Sequence, residues 1–197
     1  DYCLNIPFVS AYPKKHIVKR YFDLASQGIK SFKKVDPSNY EFELYGHQIG
    51  NIEKRKHILF HVGGLDYRRI DNNILLNIIK EFASRAKRKV YLLDEPKNPN
   101  LGFFKRNLVN YKIEFIDKMN KENLINFVGE NIYFAFVPDG GTAHLCTTLT
   151  NTLVYFGPGA VWVWYPWSKS EARHVKTYSN RTEVWETKGK YLHRFIF

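Results

Sequence analysis

The sequence predicts an α/β fold: a Rossmann-like parallel sheet with flanking helices. Three observations carry this expectation. Short apolar runs recur at residues 57–62 (HILFHV), 89–93 (KVYLL), 112–116 (KIEFI), 132–137 and 152–156. Segments with helical spacing separate them, which favours parallel pairing through right-handed crossovers. The runs are nearly continuous in apolar residues rather than alternating, the pattern of strands covered on both faces.

The elements follow in order. Residues 15–30 (KHIVKRYFDLASQGIK) put Ile17, Val18, Tyr21, Phe22, Leu24 and Ala25 at helical spacing, and Gly28 is a stop signal. Asp36-Pro37-Ser38 reads as a turn or a helix start, and 41–44 (EFEL) alternates as a short strand. We expect residues 1–50 to be an interdomain or linker segment with one helix, and 51–197 to be the Rossmann-like domain. Within it, the first strand ends at Gly63-Gly64. A helix over 71–86 has Asp71 as its cap and a stripe of Ile74, Leu75, Ile78, Ile79 and Phe82. The strand at 89–93 leads into a loop rich in Pro and Asn, 94–102. The strand at 112–116 precedes a short helix at 121–128 with Leu124, Ile125 and Val128 inward. Strand 132–137, helix 142–150 and strand 152–156 complete the pattern. Past Trp167 the sequence is irregular and predicts no element. No internal repeat is present.

Composition narrows the classes. The 197 residues suit one large domain or one and a half small ones. Hydrophobic residues make up 44%, enough for a packed core and too many for a disordered tail. No window reaches about 18 consecutive apolar residues, so no membrane-spanning helix is predicted. The start carries no signal-peptide pattern. Asp1 rather than Met opens the chain, as expected of a fragment or a processed form. The two cysteines, Cys3 and Cys146, form no disulfide framework, and Cys146 reads as a small buried apolar residue. The net charge is +11. It suits an anionic partner, whether nucleic acid, an acidic membrane face or a phosphorylated substrate, and equally suits plain solubility.

Ligands on open α/β sheets bind at the carboxyl ends of the strands. Three strand ends therefore matter: Gly63-Gly64, Asp94-Glu95 and Asp139-Gly140-Gly141. The third is the most informative, within FVPDGGTAHLCTTLTNTLVYFGPG (136–159). Glycines between a strand and a helix let the backbone turn and approach a ligand closely. They also expose free N–H groups at the positive end of the helix dipole, where an anion such as a diphosphate is favoured. Asp139 can hold the turn by accepting N–H groups of Gly141 or Thr142, or reach a sugar hydroxyl. His144, in the first helical turn, can hydrogen-bond a phosphate or hydroxyl. A plain helix cap with a solvated histidine satisfies the same pattern. The segment lacks the Lys-Ser/Thr of a P-loop and the Gly-x-Gly-x-x-Gly dinucleotide fingerprint.

Order and spacing from Asp139 to Pro166 resemble the family 9 glycosyltransferases, the bacterial lipopolysaccharide heptosyltransferases and their relatives. That family carries Asp-(Ser/Thr)-Gly-x-x-His, a helix, a strand ending Phe-Gly-Pro, and a loop with Trp and Pro. Here the matching residues are Asp139-Gly140-Gly141-Thr142-Ala143-His144, then Phe156-Gly157-Pro158, then Trp164-Tyr165-Pro166. Gly140 departs from the family's Ser or Thr, which removes a side-chain hydroxyl but keeps the turn. Upstream, 61–69 (HVGGLDYRR) is similar to the family's first donor-domain loop, with Arg68 where Lys is common. Glu95 resembles the acid that reaches the nucleotide ribose. Asp117-Lys118-Met119 resembles the lining of the base pocket.

The resemblance implies the C-terminal, donor-binding half of a two-domain GT-B enzyme. Its donor-binding residues would be Asp139, Gly140, Gly141, Thr142, His144, Arg68, Glu95, Met119, Gly63 and Gly64. The general base would lie in the N-terminal acceptor domain, outside this chain. The donor would be a nucleotide sugar, ADP-heptose in most members, with no cofactor and no metal. The acceptor would be a lipopolysaccharide or another anionic glycolipid, with the protein cytoplasmic and peripheral to the inner face of the inner membrane. On the residues alone, Arg68 and Arg69 serve equally as solvated loop charges, and Glu95 as a plain surface acid. Trp162, Trp164, Tyr165 and Trp167 suit sugar stacking, membrane contact or core packing. The histidines show no metal-ligand spacing. A basic nucleic-acid-binding module and an inactive donor-domain relative are the alternatives. No nucleic-acid motif is present, so no nucleic acid is expected as partner.

Overall fold

The computed structural model describes residues 17–28, 36, 51–64, 71–95, 100–155 and 173–175. Helix α1, Ile17–Gly28, precedes the sheet domain. The domain runs β1 His57–His61, α2 Asn72–Arg85, β2 Lys89–Leu93, α3 Leu101–Asn107, β3 Ile113–Ile116, α4 Lys121–Asn131, β4 Ile132–Pro138, α5 Gly141–Leu149, β5 Asn151–Tyr155 and β6 Arg173–Val175. The six strands form one sheet in the order β3-β2-β1-β4-β5-β6, and every neighbouring pair is parallel. This is the Rossmann-like α/β sheet expected from the apolar runs. The chain winds outward from β1 to β3, then returns to the other side of β1 at β4, so the topological switch lies between β1 and β4.

Alternation along the strands divides the core in two. On one face Ile58 and Phe60 of β1, with Val62 just past its end, pack with Leu75, Ile78, Ile79 and Phe82 of α2 and Phe104 of α3. Phe60 meets Phe82 edge to face at 5.2 Å. On the other, Leu59 of β1 packs with Ile125 and Val128 of α4 and with Ala143, Cys146 and Leu149 of α5. Cys146 is wholly buried, and burial pushes its thiol pKa up to about 12, so it acts as the small apolar residue expected. Asp71 caps α2 as predicted, its Oδ1 accepting from the N–H of Asn73 at 2.9 Å and Ile74 at 3.2 Å. Among the described residues, no helix is long and apolar enough to cross a membrane.

The differences from the sequence reading are local. Residues 101 and 102 belong to α3 rather than to a loop, and α4 continues to Asn131. Leu76 joins the buried stripe of α2, whereas Ile74 is only partly buried. Leu124 is half-buried at the edge of the second core. The expected strand at 41–44, the Pro37-Ser38 turn, Arg68, Arg69 and the aromatic loop of Trp162, Trp164, Tyr165 and Trp167 lie outside the described residues.

Arg55 ties the amino edge of the sheet together. It is 3% exposed, and its Nη1 donates to the carbonyls of Leu149 (2.5 Å), Ile132 (3.3 Å) and Val128 (3.4 Å). A cation thus meets the carbonyl ends of α4 and α5, where the helix dipoles favour it. Arg55→Met leaves these buried acceptors without their charged donor. It is expected to lower the unfolding free energy by about 2–4 kcal/mol in a urea titration.

Candidate functional site

The exit of β1, the exit of β2 and the turn from β4 into α5 meet at the carboxyl edge of the sheet. They enclose a cleft of about 370 Å³ beside the topological switch. Gly64, Glu95 and Met119 line it with Asp139, Gly140, Gly141 and Thr142. These seven residues come from four separate stretches of sequence, and the fold brings them together around one space.

The turn into α5 depends on Gly140, which stands at φ 156° and ψ −171°. Only glycine reaches that region without strain. Gly140 is also the residue that caps the helix, and its carbonyl accepts from the N–H of Ala143 at 3.1 Å and His144 at 3.4 Å. The N–H groups of Gly141 and Thr142 are left without an acceptor inside the helix. Both residues line the cleft. Gly141 is exposed, and a Cβ built on it would meet no atom within 4 Å.

The exit of β2 is held by Asp94. This residue opens the stretch expected to be a loop, yet it is only 5% exposed. Its Oδ1 accepts from the Glu95 N–H at 2.8 Å, and its Oδ2 from the N–H of Asn100 (2.7 Å) and Leu101 (2.6 Å). The carboxylate thereby caps α3 from seven residues upstream and sets the backbone that carries Glu95. Asn100 Nδ2 in turn donates to the Val62 carbonyl at 3.2 Å, locking the exits of β1 and β2 together. Glu95 itself is half-buried at the rim of the cleft.

Two residues taken as donor-binding do not line this space. Gly63 is buried beneath Glu95. A Cβ there would come within 2.6 Å of both Glu95 Cβ and Glu95 N, so glycine is required for the close approach of two chain segments. His144 stands half-buried one turn into α5. Burial lowers its pKa, opposed by the nearby Asp139 carboxylate. Arg68 lies outside the described residues. Among those residues no three His, Cys, Asp or Glu side chains gather as a metal-binding group.

The lining also includes His61, which opens the stretch 61–69 but was not among the expected donor-binding residues; it ends β1 and is 8% exposed. Desolvation lowers its pKa from 6.5 to about 4, and the Asp94 charge opposes the shift without reversing it. The folded protein therefore binds a proton here more weakly than the unfolded chain does. Stability from this site is present above about pH 6.5 and is lost as pH falls toward about 4, by roughly 3 kcal/mol at one unit per 1.4 kcal/mol. Denaturant midpoints at about pH 7 and about pH 5 check this, with a smaller drop expected for His61→Phe than for the parent chain.

No family model and no curated protein matches the sequence. Solved structures do match. The E. coli heptosyltransferase WaaC with ADP aligns at TM-score 0.64 and 15% identity, over 93% of this chain and 56% of that one. The E. coli enzyme with ADP-2-deoxy-2-fluoro heptose aligns at 0.58 and 16%, over 93% and 56%. A family 9 glycosyl transferase from Veillonella parvula aligns at 0.55 and 12%, over 90% and 54%. The chain thus spans about half the length of these structures. At such identities the likeness is one of fold, and the chain shares the Rossmann-like α/β fold of these glycosyltransferases.

Proposed function

We propose that this chain is the donor-binding half of a GT-B glycosyltransferase, taking a nucleoside-diphosphate sugar in the cleft at the carboxyl edge of the sheet. The observation that carries the reading is the convergence of Gly64, Glu95, Met119 and the turn Asp139 to Thr142 on that one cleft. The fold likeness to a heptosyltransferase whose structures hold ADP and an ADP-linked heptose supports it. In this reading the diphosphate meets the N–H groups of Gly141 and Thr142 at the positive end of α5. Those same groups stabilise the charge that builds on the leaving diphosphate as the glycosidic bond breaks. Glu95 reaches the ribose, Met119 lies against the base, and Arg68 adds a cation. Transfer is a direct displacement with inversion and no metal.

Residues 51–197 form the nucleotide-sugar domain in this account, and 1–50 the segment joining it to an acceptor domain that supplies the general base. The acceptor is a lipopolysaccharide or related anionic glycolipid at the cytoplasmic face of the inner membrane, which the charge of +11 suits. ADP-heptose is the leading donor. Calorimetric titration with ADP, UDP, GDP and CMP tests the reading. Saturable binding of one diphosphate is expected, and no heat with any of the four contradicts it.

A further inference from the structure

We propose that His61 is a ligand-contact residue of the cleft, whose imidazole donates a hydrogen bond to an oxygen of the bound nucleotide sugar. The inference rests on the nucleotide-sugar reading and adds a residue that neither the glycine turn nor the fold likeness points to. The position of His61 carries it. His61 follows Leu59 by two along β1, so strand alternation puts it on the same sheet face, one step nearer the carboxyl edge. The core of that face is apolar: Leu59, Val137, Ala143 and Ile125. An aliphatic residue would extend the run HILF without cost. Instead an imidazole stands there, 8% exposed and lining the cleft; its Nδ1 is enclosed without a partner among the described residues, which leaves Nε2 as the ring nitrogen that can face a ligand. A polar ring at the end of an apolar face costs stability that an aliphatic residue would not. Burial holds the ring uncharged, with its pKa lowered to about 4. Neutral imidazole has one N–H to give and one lone pair, which fits a phosphoryl oxygen or a sugar hydroxyl.

The test uses the full chain, with ADP and an ADP-hexose as probes. His61→Phe fills the volume without a donor and is expected to weaken binding at least about tenfold. Loss with both probes assigns a phosphoryl oxygen, and loss with the ADP-hexose alone assigns a sugar hydroxyl. In the parent chain, the His61 imidazole resonances, identified by their absence in His61→Gln, are expected to shift on saturation with the probe. Unchanged affinity in His61→Phe, or imidazole resonances that stay put while the parent chain saturates, overturns the inference and leaves the nucleotide reading standing. Failure of the parent chain to bind either probe overturns both.

Discussion

Gly141→Val is expected to fold as well as the parent chain and to bind its nucleoside diphosphate about 100-fold more weakly, a loss of about 2.7 kcal/mol. The two halves of this result have separate causes. Stability is kept because a Cβ at Gly141 meets nothing within 4 Å and the residue lies in the first turn of α5, where a side chain is tolerated. The change in unfolding free energy should stay within about 0.5 kcal/mol. Binding is lost because two methyl groups then occupy the space in which an anion must approach the Gly141 and Thr142 N–H groups. Thermal unfolding and calorimetry on the same sample separate the two. A variant that binds like the parent would remove the helix terminus from the site.

Asp94→Ala is the substitution expected to harm the fold most. It strips three backbone N–H groups, those of Glu95, Asn100 and Leu101, of a buried charged acceptor. Hydrogen bonds to a charge are the stronger kind, and the Leu101 donor would stay buried, so a loss of about 3–5 kcal/mol is expected in denaturant unfolding. Asp94→Asn keeps one oxygen and should lose less. Ligand affinity should fall in both variants, because the same carboxylate fixes the backbone of Glu95.

Much of the fold was legible because the central strands announce themselves. The run Lys89–Leu93 became a strand with the bounds the sequence placed, and β1, β3, β4 and β5 end within one residue of theirs. Helix α3 was not legible. Gly102 and the Pro- and Asn-rich approach read as loop, and the carboxylate that caps the helix belongs to Asp94, seven residues earlier in the sequence. Strand β6, Arg173–Val175, has no apolar run and exists through its pairing with β5. The candidate site divides the same way. The turn at Asp139 to Thr142 carries its chemistry in consecutive residues, so the sequence displays it. Gly63 looked like a ligand contact because glycine before a loop permits close approach, yet the approaching group is Glu95 of the same chain. His61 was hidden inside a run read as apolar, and the signal that could have revealed it was a polar residue at the last inward position of a strand.

A diphosphate held by the N–H groups at the start of α5 must perturb those groups when it binds. The backbone amide resonances of Gly141 and Thr142, followed during titration of the full chain with ADP, test this most directly. These two are expected to shift downfield together and saturate with the calorimetric affinity, while the amides at the amino edge near Arg55 stay fixed. Saturable binding that leaves Gly141 and Thr142 unmoved would contradict this and place the ligand elsewhere on the sheet.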